Sequence, residues 1–220
     1  MSAAAAKRLP KEIERVTDLS NSGIYYIPDD ASFYKGNAMI IGPEETPYAF
    51  CPLFFRFEFP SDYPFSPPKV TFLTTDGKTR FHPNLYVCGK VCLSILGTYS
   101  GPSWQSTMSL SMILLSLKAL LDTNPISHEP GYANKTLSDP LALHYSQYVH
   151  FKMTETSLQE MKQGRYSALF KEDVPHIFPP LQEALEKIVR ANSLFAPTKY
   201  EYLPYTMTGI TVWKNLLSYF

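Results

Sequence analysis

The stretch Leu53-Phe-Phe-Arg-Phe-Glu-Phe59 decides the fold class of this 220-residue chain. Phenylalanines at positions 55, 57 and 59 alternate with Phe54, Arg56 and Glu58. Successive side chains of a β-strand point to opposite faces, so this period of two predicts a half-buried strand. A single strand must pair with other strands, and candidate strands lie on either side of this segment in the sequence.

Two further strand candidates flank this segment. They run from Tyr34 to Ile41, where Gly42-Pro43 ends the pattern, and from Lys69 to Thr74. The connections are short, whereas parallel strands need long crossovers, so we predict an antiparallel meander. The loop from Pro60 to Pro68 holds four prolines in nine residues. Because proline cannot donate to a sheet ladder, this loop is predicted to be stiff and to lie outside the sheet.

Helical periodicity precedes and follows the predicted sheet. An amphipathic helix is predicted over residues 3–16. Ser109 is predicted to cap a leucine-rich core helix, and Asp139 to cap another that runs to about Met161. A last helix is predicted around residues 181–189. Together with the antiparallel strands, these helices indicate the α+β class.

The composition argues against several kinds of protein. The formal net charge is +0, from 20 basic and 20 acidic residues, so no nucleic-acid partner is expected. Three cysteines are too few for a disulfide framework, which favours free thiols in a reducing compartment. The chain shows no signal-peptide core and no apolar stretch of membrane length. We therefore expect a cytoplasmic or nuclear location and no membrane partner.

Cys92 is the candidate nucleophile. Gly89 permits an unusual backbone nearby, and the charge of Lys90 favours a thiolate. Asn84 lies eight residues upstream in His82-Pro-Asn84, and its amide is suited to donate to an oxyanion. A nucleophile must be reachable, so the sulfur is expected to lie exposed in a rigid loop. From these residue types alone, however, a structural cysteine near an asparagine is the more frequent situation.

An ordered series of motifs changes this interpretation. The motifs, in chain order, are Tyr63-Pro-Phe-Ser-Pro-Pro-Lys-Val70, His82-Pro-Asn84, Gly89-Lys-Val-Cys-Leu-Ser-Ile-Leu96, Trp104 and Asn124-Pro125. Their order and near-fixed spacing resemble the ubiquitin-conjugating enzyme family, over residues 3–162. The resemblance implies the UBC fold, with an N-terminal helix, a four-stranded antiparallel meander, an active-site loop and C-terminal helices. The best candidates for the first and fourth strands are Ser22 to Ile27 and Thr79 to His82.

Within this family the chain is most similar to the large Z-type branch. The similarity lies in the long gap from Cys92 to Trp104, in His128-Glu-Pro-Gly131 and in the C-terminal extension. Members of that branch work with ubiquitin or a two-domain ubiquitin-like modifier, through a dedicated second activating enzyme. The expected partners are therefore such a modifier, an activating enzyme, a ubiquitin ligase and protein substrates.

The resemblance implies that Cys92 holds the C-terminal glycine of the modifier as a thioester and releases it to a substrate lysine. It implies no metal or cofactor on this chain, because ATP is used upstream by the activating enzyme. Asn84 would donate to the oxyanion of the tetrahedral intermediate, and the alternative is that it only braces the loop. His82 invites a Cys–His dyad, but this histidine is structural in the family.

Glu129 and Ser94 are the candidate groups beside the attacking amine. A carboxylate orients an amine and eases the loss of its proton. Glu129 stands where many family members have an acidic residue, whereas Ser94 replaces a frequent aspartate, so this site is less acidic than usual. For Glu129, plain solvation in a loop is the alternative.

The resemblance also implies docking residues. Lys7, Arg8 and Lys11 on the first helix are expected to bind the activating enzyme, with a merely solvated face as the alternative. Pro64 and Phe65 in the proline loop are expected to bind a ligase, with simple loop packing of Phe65 as the alternative.

Three features depart from the family pattern. Phe50-Cys51 stands where a Gly-Gly pair is common, so a reshaped turn is expected there. Gln105-Ser-Thr107 replaces a Ser-Pro-Ala that family members use to bind ligases, so the range of ligases is open. Cys88 lies in the active-site loop and is expected to be a bystander.

We predict a UBC core domain over residues 1–162 and a C-terminal extension over residues 163–220. The extension is helical and rich in aromatic residues, and it either packs on the core or forms a partner-binding surface. Two other functional classes stay open. One is a non-catalytic adaptor that binds modifier or ligase, and the other is a cysteine hydrolase that uses Cys92 and His82.

Overall fold

The computed structural model describes residues 3–164, 170 and 176–220. Contacts within the chain divide it into two compact units. The first unit consists of the described residues up to Ile41, Pro52–Thr74 and Asn84–Leu120. The second unit consists of Gly42–Cys51, Thr75–Pro83 and the described residues from Leu121 onward.

The first unit contains the predicted N-terminal helix and a four-stranded antiparallel sheet in the order β1-β2-β3-β4. In the sheet, Phe55 lies opposite Phe72 and Phe57 lies opposite Val70. The α+β class and the meander are therefore confirmed. The elements are Ala3–Val16 (α1), Ile24–Asp29 (β1), Ser32–Ile41 (β2), Pro52–Glu58 (β3) and Lys69–Phe72 (β4).

The hydrophobic core of the first unit includes much of β3. Phe55 and Phe57 are fully buried, as the period of two predicts, but Phe54 is buried as well. The start of β3 is thus buried on both faces, and only its charged residues keep partial exposure. Arg56 donates to both carboxylate oxygens of Asp29, at 2.7 and 2.6 Å, and so links β3 to β1.

The predictions for the two outer strands had different outcomes. The first-strand candidate, Ser22 to Ile27, is confirmed by β1, but the fourth-strand candidate, Thr79 to His82, is wrong. The carboxylate of Asp76 accepts hydrogen bonds from the backbone N–H groups of Lys78 and Thr79, at 2.9 and 2.6 Å. These bonds form a turn, so this backbone does not extend into a ladder and β4 is the fourth strand.

Helix α2, Leu110–Ala119, begins after Ser109 as predicted, but the Ser109 side chain makes no capping hydrogen bond. The N–H of Leu110 instead donates to Glu12 Oε2 at 2.8 Å, and the hydroxyl of Tyr63 donates to the same oxygen at 2.6 Å. Glu12 is only 3% exposed. A buried carboxylate on α1 therefore fixes both the start of α2 and the start of the proline loop.

Among its described residues, the second unit contains two α-helices and a C-terminal hairpin. Asp139 caps the first of these helices by accepting from the N–H of Leu141 at 3.0 Å, as predicted. The predicted helix at residues 181–189 is also confirmed, whereas the hairpin was not predicted. The elements are Pro140–Lys162 (α3), Phe178–Asn192 (α4), Thr198–Leu203 (β5) and Met207–Thr211 (β6).

The C-terminal hairpin contacts α3 within the second unit. The hydroxyl of Tyr148 on α3 donates to the carbonyl of Thr208 at 3.1 Å. The division into a core domain, 1–162, and an extension, 163–220, stays a prediction. Of the extension, residues 165–169 and 171–175 lie outside the described residues.

Candidate active site

Residues 84–92 form a short hairpin beside β4, the edge strand of the sheet. Leu85 pairs with Val91 across the hairpin. The N–H of Phe72 on β4 donates to the carbonyl of Gly89 at 2.8 Å. Gly89 has a φ of +88°, and a Cβ atom there would lie 2.9 Å from the Phe72 carbonyl oxygen. The hairpin therefore needs glycine at this position, both for its backbone angle and for its close approach to the sheet.

Asn84 and Cys92 are hydrogen-bonded to each other at the base of this hairpin. The N–H of Cys92 donates to the carbonyl of Asn84 at 2.8 Å. The side-chain amide of Asn84 donates to the carbonyl of Cys92 at 2.7 Å. The hairpin between them thus brings Cys92 back opposite Asn84, eight residues earlier in the chain. In this state Asn84 braces the loop, and its donation to an oxyanion stays a prediction.

The three cysteines differ in exposure. Cys92 is 4% exposed, so the expectation of an open sulfur is wrong for this state. The reason is that the base of the hairpin packs into the unit, where the neighbouring Val91 is buried as well. Cys88, at the turn of the hairpin, is exposed. Cys51 in the second unit is fully buried, and burial raises the pKa of its thiol to about 12.

The loop after Cys92 is braced by Thr98, a residue that was not predicted from the sequence. The Thr98 hydroxyl accepts from the N–H of Leu93 at 3.0 Å and lies 2.7 Å from the carbonyl of Val91, to which it donates. Ser94 begins a short 3₁₀ turn in this loop and is half-buried. A single threonine in an irregular loop gives no periodic signal, so only the folded structure reveals its role.

A groove of about 530 Å³ runs beside the hairpin within the first unit. Residues 67–71 of the proline loop and β4 line one part of it, and residues 88–91 of the hairpin line another, with Leu96 and Thr98. Lys69 and Lys90 are among the lining residues. The groove therefore combines apolar walls with two cationic side chains.

Glu129 and His82 lie in the second unit. The carboxylate oxygen Oε2 of Glu129 accepts a hydrogen bond from the hydroxyl of Tyr205, on the C-terminal hairpin. Tyr205 was not predicted from the sequence, because 76 residues separate it from its partner. His82 is fully buried, and its ring centroid lies 4.9 Å from that of His128. This burial fits a structural histidine, while the role of Glu129 stays a prediction.

The three basic residues predicted to bind the activating enzyme are not equivalent. Lys7 and Lys11 are exposed on α1. Arg8 donates to the backbone carbonyls of Ser106 and Met108, and also pairs with Glu12. The two lysines are therefore available to a partner, whereas the guanidinium of Arg8 contributes to the fold of the first unit.

The proline loop presents Phe65 to solvent. Its side chain is 71% exposed, so simple loop packing does not account for it. The backbone beside it is held in place, because the indole N–H of Trp104 donates to the carbonyl of Pro64 at 2.7 Å. An exposed aromatic ring on a fixed loop is suited to bind a partner protein.

The turn at Phe50 adopts a backbone conformation that favours glycine. Phe50 has a φ of 58°, in the left-handed region. For a residue with a Cβ atom this conformation costs about 1–2 kcal/mol. The turn thus keeps a glycine-like backbone although an aromatic residue occupies it.

Two kinds of feature are absent from the part of the chain that the structure describes. None of the helices there is long and apolar enough to cross a membrane. No group of three or more His, Cys, Asp or Glu side chains there is placed to hold a metal ion.

Comparisons with known proteins bear on this site. A family model described as ubiquitin-conjugating enzyme matches residues 8–150, a range that includes Asn84 and Cys92. Ubiquitin-conjugating enzyme E2 Z of Xenopus tropicalis is 37% identical over 159 residues, which cover 72% of this chain and 50% of that protein. The human E2 Z is 35% identical over 159 residues, with 72% and 45% covered.

A solved E2 domain of a ubiquitin-conjugating enzyme from Toxoplasma gondii is also similar. It is 27% identical and matches 67% of this chain and 97% of its own, with a TM-score of 0.50. The chain spans about half the length of the curated E2 Z relatives it matches. By the family match and by these identities, the chain belongs to the ubiquitin-conjugating enzyme family and resembles its Z-type members.

Proposed function

We propose that this chain is a ubiquitin-conjugating transferase that carries ubiquitin or a ubiquitin-like modifier as a thioester on Cys92. The hydrogen-bonded pair of Asn84 and Cys92 carries the proposal, since it holds an amide donor beside the residue with the thiol. Family membership supports it, because the matched relatives are named as ubiquitin-conjugating enzymes.

Two acyl transfers make up the reaction. In the first, the Cys92 thiolate attacks the thioester carbonyl on the activating enzyme, whose own thiol leaves as the new C–S bond forms. In the second, a lysine amine attacks the same carbonyl, an amide bond forms and the Cys92 thiol is released. Neither transfer is a redox reaction, and ATP is used upstream by the activating enzyme. We therefore propose no cofactor for this chain.

Both transfers pass through a tetrahedral intermediate with a negatively charged oxygen. In the proposed mechanism, Asn84 exchanges its hydrogen bond to the Cys92 carbonyl for one to this oxygen. A preorganised amide donor of this kind contributes about 10²–10³ in rate. Because Cys92 is 4% exposed, charging also requires the hairpin to open toward the incoming carbonyl. We propose that the groove beside the hairpin of residues 84–92 binds the extended C-terminal segment of the modifier.

The remaining site residues are assigned by their chemistry. Glu129 orients the attacking lysine and eases the loss of its proton, while Ser94 adds a neutral hydroxyl near the thioester. Lys7 and Lys11, next to Arg8, bind the activating enzyme. Pro64 and Phe65 bind a ligase that brings a protein substrate. The proposed location is the cytoplasm or the nucleus.

A charging assay tests this function. The protein is incubated with ATP and either ubiquitin or a two-domain ubiquitin-like modifier, each with more than one activating enzyme. We expect a higher band on a non-reducing gel that disappears with reductant. The Cys92→Ser variant should lose this thioester, and the matched Cys88→Ser variant should keep it. If no modifier forms a reductant-sensitive band on Cys92, the proposed function is wrong.

A further inference from the structure

The tip of the C-terminal hairpin has an unusual backbone. Tyr205 and Thr206, between β5 and β6, have φ angles of 63° and 56°. Left-handed conformations are unfavourable for residues with a Cβ atom, because the Cβ lies too close to the following carbonyl oxygen. Two in succession persist only where surrounding contacts hold the chain in place. The contacts of Tyr205 identify what holds this tip.

Within the described part of the second unit, the side chain of Tyr205 contacts Glu129, Tyr145 and Arg80. Its hydroxyl donates to Oε2 of Glu129. Its ring lies edge-on to that of Tyr145, with 6.2 Å between the centroids. The guanidinium carbon of Arg80 lies 5.0 Å from the centroid of the Tyr205 ring, within the range of a cation–π interaction. One side chain of the C-terminal hairpin thus contacts both the loop that contains Glu129 and the segment that contains Arg80.

Arg80 in turn holds the residues that lead into Asn84. Its Nε donates to the carbonyl of His82 at 3.1 Å, and its Nη2 donates to the carbonyl of Pro83 at 2.5 Å. The backbone N–H of Arg80 donates to the sulfur of Met207 on β6 at 3.2 Å. The C-terminal hairpin therefore contacts this segment through Tyr205 and Met207.

We propose that Tyr205 is a positioning residue for the transfer of the modifier to an amine. Its hydroxyl holds the Glu129 carboxylate by one oxygen, which leaves Oε1 to receive the amine. Its ring keeps Arg80 on the carbonyls of His82 and Pro83. The inference rests on the proposed function, in which Glu129 orients the attacking lysine. The inference thus assigns the C-terminal extension a role in the second transfer, from Cys92 to the lysine.

The test compares Tyr205→Phe with the wild-type chain in single-turnover discharge. The protein is first charged with ubiquitin, or with the two-domain modifier if only that one charges, and then mixed with free L-lysine. We expect charging to be unchanged and the maximal rate of discharge to lysine to fall about tenfold, as for the loss of one hydrogen bond to a charged group. Discharge to hydroxylamine, which is uncharged at neutral pH and needs no help to lose a proton, should change little. A merely structural role would slow both reactions.

Two further variants make the comparison specific. Tyr202→Phe removes a hydroxyl from the same hairpin at a residue that is 93% exposed, and it should match the wild type. In a Glu129→Gln background, Tyr205→Phe should have no additional effect, because Tyr205 acts through Glu129. Normal charging with equal lysine discharge by the wild type and Tyr205→Phe would overturn this inference alone. A wild-type chain that no modifier charges would overturn the proposed function and this inference together.

Discussion

At the scale of single residues, Glu12 joins three segments of the first unit. Replacing it with alanine leaves the Tyr63 hydroxyl and the Leu110 N–H without their acceptor. We expect Glu12→Ala to lower the free energy of unfolding by about 2–4 kcal/mol, since each buried unsatisfied donor costs about 1–3 kcal/mol. Urea denaturation measures this change. Glu14→Ala, at an exposed position of the same helix, should stay near the wild type, and equal losses for both variants would contradict this account.

Asn84 has two separable roles, as a brace of the hairpin and as a proposed oxyanion donor. Asn84→Ala is expected to slow discharge of the Cys92 thioester to lysine by about 10²–10³. Thr98→Val provides the matched control, because it removes another brace of the same loop without touching the proposed donor. Rapid-quench measurement of discharge distinguishes the roles. If both variants slow discharge equally, Asn84 acts only as a brace.

At the scale of elements, the hairpin of residues 84–92 depends on how closely Gly89 approaches β4. Gly97 follows in the same loop, also with a positive φ, but has open space where a Cβ atom would stand. Gly97→Ala should therefore cost about 1–2 kcal/mol for its backbone angle alone. Gly89→Ala should cost about 1–3 kcal/mol more, because its methyl group meets the Phe72 carbonyl and the Thr71 side chain. Thermal unfolding of the two variants measures the difference, and equal midpoints would contradict it.

The turn before His82 depends on ionised Asp76. Burial raises the pKa of this carboxyl, but hydrogen bonds from Thr79 and Lys78 and the charge of Lys152 outweigh burial, so the pKa lies below its ordinary value of 3.8. A lowered folded-state pKa stabilises the fold above the unfolded-state value, and this stability is lost as the pH falls through the folded-state pKa.

Asp76→Asn should therefore destabilise the protein at neutral pH, and its deficit should shrink as the pH falls below about 4. Denaturant unfolding of both proteins across this range checks the expectation. Asp18→Asn, at an exposed carboxylate, is the control and should show no such trend. A deficit for Asp76→Asn that stays constant with pH would show that the ionised form is not what stabilises the turn.

At the scale of the whole molecule, the three cysteines should react in a fixed order. Exposed Cys88 should be alkylated first by iodoacetamide at neutral pH, and Cys92 more slowly because it is nearly buried. Cys51 should react only on unfolding, since it is fully buried and the pKa of its thiol is raised to about 12. Mass spectrometry of the peptides over time reads this order. Alkylation of Cys51 as fast as Cys88 would contradict the burial described here.

Whole elements were predictable where a periodic pattern runs through them. Strand β3 alternates over its charged half, and helix α2 repeats apolar residues at helical spacing, so local chain geometry suffices. Helix α3 was predicted from its capping residue, Asp139. The fourth strand was misplaced because the Asp76 carboxylate forms a turn with the backbone that follows it. The buried second face of β3 was also missed, because an alternating pattern does not show what covers its polar side.

By itself, the sequence determined the fold class and most of the helices, since periodic patterns run through them, and the family resemblance of its motifs associated Asn84 with Cys92. Only the tertiary structure decided that Cys92 is nearly buried, that Glu12 rather than Ser109 satisfies the start of α2, and that Tyr205 holds Glu129. The contacts of Glu12 and Tyr205 join residues 51 to 98 positions apart, and the burial of Cys92 depends on what packs over it. Such contacts produce no local sequence pattern, because the spacing of residues along the chain does not specify which distant groups come together in the fold.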